Sequence, residues 1–321
     1  MNVLITSAGR RVKVIEYFRK ELNKIGGRVF AADCDKTAPA LNFADTSLVI
    51  LPIVDEKYID ELLEICRSNE ISAVISLIDP ELEILSENKS LFKEIGVEVI
   101  VSPLKEVKLS FNKFNMYEEF IRKSIPVVPT YNSVENTLEA LNSHVISFPI
   151  ILKPGNGSAS IGIRIINSEK ELREAFFLQD NLIAQPYIQS DEYGVDVYID
   201  IYSKEVVNLF IKRKIKMRAG ETDKSISIKN KAIQELILNT LKHYDFIGPL
   251  DFDIFEYNGT YCISEINPRF GGGYPHAYEL GQNFISSIIT NLQGNSNDSI
   301  IGDYEKNLMM IKYDNVLIKE I

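Results

Sequence analysis

Hydrophobic positions in the first hundred residues switch repeatedly between two periods. Short apolar runs at 2–7, 29–32, 48–52, 73–78 and 97–101 read as buried strands. Between them Val12, Ile15, Phe18, Leu22 and Ile25 recur at helical spacing and stop at Gly26-Gly27. Residues 58–68 and 82–95 read as further helices. Strands alternating with helices predict a parallel sheet covered on both faces, with ligands at the carboxyl ends of its strands. The first turn, Thr6-Ser7-Ala8-Gly9-Arg10-Arg11, lacks the glycine spacing that lets a dinucleotide pyrophosphate approach the backbone. Arg10 and Arg11, at a helix start, either meet an anion or are solvated. Asp79 and Glu81 follow a buried strand, where they either hold a substrate amine or cap the helix that begins near Leu82.

The pattern then changes. Residues 105–123 are helical, with Phe111, Phe114, Met116, Phe120 and Ile121 on the apolar side, and a short helix covers 134–141. Strands at 148–154 and 163–166 flank Gly155-Asn156-Gly157-Ser158-Ala159-Ser160-Ile161-Gly162. Such a small-residue loop exposes backbone N–H groups and can fold over phosphates. No helix follows it, so it is not a Walker loop. A helix at 169–178 precedes a strand at 182–188 that ends or bends at Pro186, which cannot donate to a ladder. Glu192 begins a new strand.

In the strand at 206–217, Lys212, Lys214, Lys216 and Arg218 fall on one face and Ile211, Arg213, Ile215 and Met217 on the other. The basic strip marks a nearby anion or a charged edge that resists aggregation. Arg213 interrupts the apolar face and is the candidate for ligand contact. A polar loop at 219–225, a helix at 228–244, a helix at 277–292 interrupted at Gly281, and paired strands at 308–313 and 315–318 complete the reading.

The clearest signal is a hairpin. Residues 250–257 alternate Asp251 and Asp253 against Phe252 and Ile254; Asn258-Gly259 is a strong two-residue turn; 260–266 is β-branched and aromatic. A strand's period of two puts Asp251 and Asp253 on one face, and Glu265 and Asn267 on one face of the return arm. Paired acids and an amide oxygen are hard ligands of the kind that hold Mg²⁺ together with substrate phosphates. Arg269 follows, where a planar cation can meet an acyl or phosphoryl oxygen.

Glu265-Ile266-Asn267-Pro268-Arg269, closing this hairpin, resembles the metal-binding signature of the ATP-grasp superfamily, in its biotin carboxylase and carbamoyl-phosphate synthase large-chain branch. Gly271-Gly272-Gly273-Tyr274-Pro275 resembles stand-alone carbamoyl-phosphate synthase-like proteins. The resemblance runs over nearly the whole chain. It implies an α/β and α+β molecule: a Rossmann-like pre-ATP-grasp domain with a parallel sheet (1–108), linker helices and a small lid subdomain (109–184), and a C-terminal mixed-sheet subdomain carrying the metal site (185–321).

It also implies roles. Asp253, Glu265 and Asn267 hold Mg²⁺ or Mn²⁺, with Asp251 as second choice on the first arm. Lys113, Lys153, Gly157, Ser158 and Ser160 meet the ATP phosphates. Gln185, Pro186, Tyr187 and Ile188 clamp the adenine, with Gln where the family often has Glu, and Glu192 holds the ribose. Arg269 and Arg213 are the catalytic candidates. The activity implied is ligation: a small-molecule carboxylate becomes an acyl phosphate, an amine or thiol displaces phosphate, and ADP is released. A regulatory ATP-binding protein and a small-molecule kinase are the alternatives on the same fold.

Composition narrows the setting. The 321 residues, 45% hydrophobic and 25% charged, suffice for two or three globular cores. A net charge of −10 argues against nucleic-acid or anionic-membrane partners. Cys34, Cys66 and Cys262 show no metal or redox spacing, as expected of thiols in a reducing cytoplasm. The apolar start is too short for a signal-peptide core or a membrane span. The oligomeric state stays open, a homodimer included.

Overall fold

The computed structural model describes residues 1–157 and 162–319. The alternating pattern of the first hundred residues folds as a five-stranded parallel sheet, in the order β3-β2-β1-β4-β5. Its strands are β1 (Asn2–Thr6), β2 (Arg28–Asp33), β3 (Thr46–Val49), β4 (Ile71–Ser76) and β5 (Glu98–Val99). Both faces are covered. Phe18, Leu22 and Ile15 of the helix Val12–Asn23 fill one side, and Leu62, Leu85 and Phe92 fill the other. The helix expected at 82–95 is two, Asp79–Glu87 and Lys89–Glu94. Asn88 separates them, its side-chain amide donating to the Ile84 carbonyl at 2.8 Å in competition with the helix ladder.

A three-stranded antiparallel sheet, β7-β6-β8, follows: β6 (Ile150–Pro154), β7 (Arg164–Ile166) and β8 (Leu182–Pro186). The helices Val134–Asn142 and Glu169–Leu178 cover it, each capped by a serine side chain that accepts from the third backbone N–H.

The last sheet has six strands, in the order β13-β12-β9-β10-β11-β14. They are β9 (Glu192–Ile199), β10 (Val206–Arg218), β11 (Glu221–Ile228), β12 (Gly248–Tyr257), β13 (Thr260–Asn267) and β14 (Met309–Ile311). Every pairing in it is antiparallel. The polar loop expected at 219–225 shrinks to a turn at Ala219-Gly220, and β11 begins at Glu221. Its Thr222, Ser225 and Ser227 are buried, because strands on either side satisfy the backbone that a lone polar segment would leave to water. The expected C-terminal strand pair also gives way. Met309–Ile311 pairs with β11, and 315–318 is not a strand.

The helices Tyr274–Glu279 and Phe284–Leu292 tie this sheet to the first. Phe270, Tyr274 and Phe284 share a core with Phe18, and Tyr17 stacks on Tyr278 at 3.7 Å between ring centres. The carboxyl ends of the parallel strands therefore face β12 and β13 across a cleft. No helix among the described residues is long and apolar enough to cross a membrane.

His276 carries a measurable consequence of this packing. Its ring lies edge-on to Phe210, Nδ1 is 2.8 Å from the Ser225 hydroxyl, and buried Nε2 has no hydrogen-bond partner among the described residues. Burial, reinforced by Lys212, pushes its pKa down to about 4. The folded state thus refuses a proton that the unfolded chain accepts below its ordinary pKa near 6.5. Stability is full above that value and falls with acid, by about 2 kcal/mol between pH 7 and pH 5 from this group. Urea midpoints at the two pH values should differ accordingly, and His276→Gln should flatten the slope.

Candidate active site

The Asn258-Gly259 turn, with φ of +49° and +75°, sets the register of the β12–β13 hairpin as far as Ile254 opposite Ile263, and a one-residue bulge at Ser264 then shifts it. Asp253 lies directly opposite Glu265, and Asp251 opposite Asn267. All four, with Arg269, line a cleft of about 570 Å³ that runs from the lid sheet to the carboxyl end of β1. Burial raises the proton affinity of Asp253, and the neighbouring Asp251 and Glu265 raise it further against the pull of Lys214. Asp251 is raised for the same first reason and by Asp196.

Lysines meet these acids. Lys153, on β6, is 2.7 Å from Glu265, and Lys113, at the start of the helix Lys113–Arg122, is 3.9 Å from it. Burial alone would raise Glu265, but the two ammonium groups hold it below its ordinary value. Lys113 itself is lowered, by burial first and then by Lys153 beyond what Glu265 restores. It also donates to the Gly157 carbonyl, which fixes the start of the small-residue loop. Ser158 and Ser160 lie outside the described residues.

Sequence reasoning missed Lys214 and chose its neighbour Arg213. Arg213 pairs with Asp191 at 3.1 Å, is partly exposed, and does not line the cleft. Lys214 does, bridging Glu192 at 2.6 Å and Asp253 at 2.5 Å. Burial opposes its charge, yet those carboxylates prevail and keep it protonated. Gly194 makes the reach possible: a Cβ there would lie 2.9 Å from Lys212 Cε and 3.2 Å from Lys214 Cε. Lys212 ion-pairs with Asp196, both about 1% exposed. The overlooked signal was the alternation Glu192-x-Gly194-x-Asp196, complementary to Lys212-x-Lys214 on the adjacent strand.

Gln185, Pro186 and Ile188, the residues expected to clamp the adenine, line the lid-sheet end of the cleft. Gln185 donates its amide to the Thr130 hydroxyl at 2.8 Å, which fixes its orientation. Tyr187 is not a lining residue, and its N–H donates to the Pro149 carbonyl. Glu192 lines the cleft beside Lys214.

At the other end, Asp79 does not cap a helix. The helix already begins there, and the Asp79 carboxylate accepts from Arg269 Nε at 2.9 Å and from Nη2 at 2.7 Å. Both N–H groups converge on the one oxygen Oδ2, and this ion pair, both side chains 8% exposed, holds the guanidinium in place across the two sheets. Glu81 is buried and accepts from Tyr58, Ser7 and Ser76.

Among the described residues no three His, Cys, Asp or Glu side chains converge as a dedicated metal cage. Two opposed carboxylates and an amide are instead a set that needs phosphate oxygens to complete it, as Mg²⁺ sites commonly do.

Comparison with known proteins agrees with this geometry. Residues 111–273 match the ATP-grasp domain family, and residues 3–100 match the PylC-like N-terminal domain family. Pyruvate carboxylase of Bacillus subtilis is 24% identical over 233 residues, which is 66% of this chain but only 20% of that protein. The chain thus spans about a fifth of that relative's length. D-alanine–D-alanine ligase of Staphylococcus carnosus is 25% identical over 281 residues, covering 78% of this chain and 79% of the ligase. The biotin carboxylase domain of Hydrogenobacter thermophilus 2-oxoglutarate carboxylase, solved with MgADP and bicarbonate, shares the fold. Its TM-score is 0.75 at 18% identity, covering 96% of this chain and 73% of that one.

Proposed function

The chain belongs to the ATP-grasp family, and on that premise we propose that it is a Mg-ATP-dependent carboxylate–amine ligase releasing ADP and phosphate. The observation that carries this reading is the hairpin register. It sets Asp253 against Glu265, with Asn267 and Arg269 beyond, on a cleft that also holds Lys113 and Lys153.

In this reading Asp253, Glu265 and Asn267 hold Mg²⁺ or Mn²⁺. The metal, when bound, offsets negative charge on the ATP phosphates as the γ-phosphoryl group moves. Lys113 and Lys153, which pair with Glu265, would meet the phosphates. Lys214 remains between Asp253 and Glu192 and limits the repulsion among the acids. The substrate carboxylate attacks the γ-phosphorus in line and the bond to ADP breaks. The amine then adds to the acyl carbon, phosphate leaves, and the amine proton passes to solvent. Arg269, fixed by Asp79, faces the acyl phosphate oxygens. Positioning and electrostatics carry the chemistry, and no side-chain nucleophile is required.

Two measurements test this. Saturating Mg-ATP should raise the melting temperature above that with Mg²⁺ alone, by the equivalent of about 2.7 kcal/mol at a hundredfold excess over Kd. A screen of carboxylates with amines should give ADP and phosphate that depend on both co-substrates. AMP with pyrophosphate would sink the acyl-phosphate route; a phosphorylated hydroxyl would make the protein a kinase. Nucleotide binding without turnover would make it a regulator.

A further inference from the structure

Arg10 and Arg11 have no part in the chemistry above, yet both line the cleft, beyond Arg269 and away from the adenine end. They converge on one carboxylate. Glu221, the first residue of β11, lies 3.3 Å from Arg10 Nε, 3.4 Å from Arg11 Nε and 3.1 Å from Lys312 Nζ. Three cations thus share one acid, the only carboxylate that pairs with any of them among the described residues. Direct ion pairing therefore offsets one of the three charges; Asp251 and Asp79 act on Arg11 without pairing with it, and Arg10 is 53% exposed. Arg11 and Lys312 are mostly withdrawn from water, at 17% and 25% side-chain exposure, so solvent does little to screen them.

Further features add to the excess. The helix Val12–Asn23 starts at this point with no side-chain cap and no acid in its first turn, so its positive end also faces the cleft. Lys312 is held in place by the Gly272 carbonyl at 2.7 Å, and Arg10 by the Ala219 carbonyl at 2.7 Å. Gly272 lets Glu221 lie against the backbone: a Cβ there would come within 2.7 Å of its side chain. Burial is the main cause that lowers the proton affinity of Arg11 and Lys312; Glu221 restores part of it in both, and the neighbouring Arg269 and Arg11, respectively, oppose that gain.

We propose that the carboxylate substrate carries a second anionic group, and that this group docks on Arg10, Arg11 and Lys312 in place of Glu221. The assignment to the carboxylate substrate follows from position. The cluster abuts Arg269, where the acyl carbon is activated, and Gly272, which anchors Lys312, is three residues further along the chain. An amine acceptor would call for an excess of acids there. A second carboxylate and a phosphate monoester share the required chemistry, and Arg binds either through its planar fork.

The proposal rests on the ligase reading, and the test separates the two. The full-length protein is saturated with MgADP and titrated calorimetrically with succinate and with inorganic phosphate, at constant ionic strength. Wild type should bind at least one of them saturably. Arg11→Gln should weaken that binding roughly tenfold or more, and Glu221→Gln, which removes the competing carboxylate, should tighten it roughly threefold or more. A misfolded variant could not produce the gain. Preference for succinate identifies a dicarboxylate, and preference for phosphate a phosphorylated carboxylate. No binding of either anion, or equal affinity in all three proteins, overturns the proposal. Failure of MgADP to bind counts against the nucleotide reading instead, and the same titrations without nucleotide still decide the anion site by their response to Arg11→Gln and Glu221→Gln.

Discussion

Replacing Asn267 with Ala is expected to lower co-substrate-dependent ADP release by roughly 10²- to 10³-fold while leaving the urea midpoint unchanged. The two halves of this expectation come from one observation. Asn267 closes β13 on the cleft wall, 9% exposed, opposite Asp251, and its backbone carbonyl accepts from Arg269 N–H. Its side-chain amide donates to and accepts from no protein group among the described residues. An amide that is largely buried yet makes no internal hydrogen bond contributes little to the folded state. Its oxygen is free for a ligand. Glu265→Gln is a poorer probe, because it removes the anion that Lys153 and Lys113 share and leaves two ammonium groups facing each other. The check is steady-state ADP release beside urea unfolding. A variant that keeps wild-type turnover would remove Asn267 from the metal site.

The second large effect concerns stability. Lys212→Met should destabilise the protein by about 3–5 kcal/mol, because it strands the Asp196 carboxylate in the core of the six-stranded sheet. Asp196 is 1% exposed, and its Oδ1 already has no hydrogen-bond partner among the described residues. Lys212 is its only ion-pair partner among the described residues. Pairing Lys212→Met with Asp196→Leu should recover most of the loss, since a buried ion pair is often replaceable by apolar side chains of similar volume. Urea midpoints of the two single variants and the double variant settle this. If the double variant is no better than Lys212→Met, packing of the lysine stem, not its charge, is what the sheet needs.

The two predictions differ in how far the sequence alone supports them. The Asn-Gly turn fixes the pairing next to it, from Tyr257 with Thr260 to Ile254 with Ile263; continued strictly it would set Asp253 against Ser264, and a one-residue bulge there sets it against Glu265 instead. The hairpin with its turn was therefore legible, as were the alternating elements of the first hundred residues; the bulge that brings Glu265 opposite Asp253 and Asn267 opposite Asp251 was not. Both legible features follow local rules: a turn type and a repeat of two or 3.6 do not depend on what the rest of the chain does. Glu265, Asn267 and Lys153 could be nominated from motifs a few residues long, whereas Lys113 was singled out only by the family resemblance.

The faces of β10 could not be. Its alternation separates Lys212 and Lys214 from Arg213 correctly but does not say which set looks into the molecule. The apolar residues accompanying Arg213 suggested that its side was buried. Yet Ile215 is 45% and Met217 38% exposed, while Lys212 is 1% exposed. The strand runs out past its core onto the rim of the cleft, and the lysines stay buried because Asp196, Glu192 and Asp253 arrive from β9 and β12. Asp79 was misjudged for the same reason: its partner Arg269 stands 190 positions away. The sequence by itself determined the elements, the hairpin turn and the acids and amide at the hairpin's end. Only the tertiary structure decided which charges are neutralised and which face the cleft, because burying a charge requires a counter-charge, and these partners are brought together by strands distant in the chain.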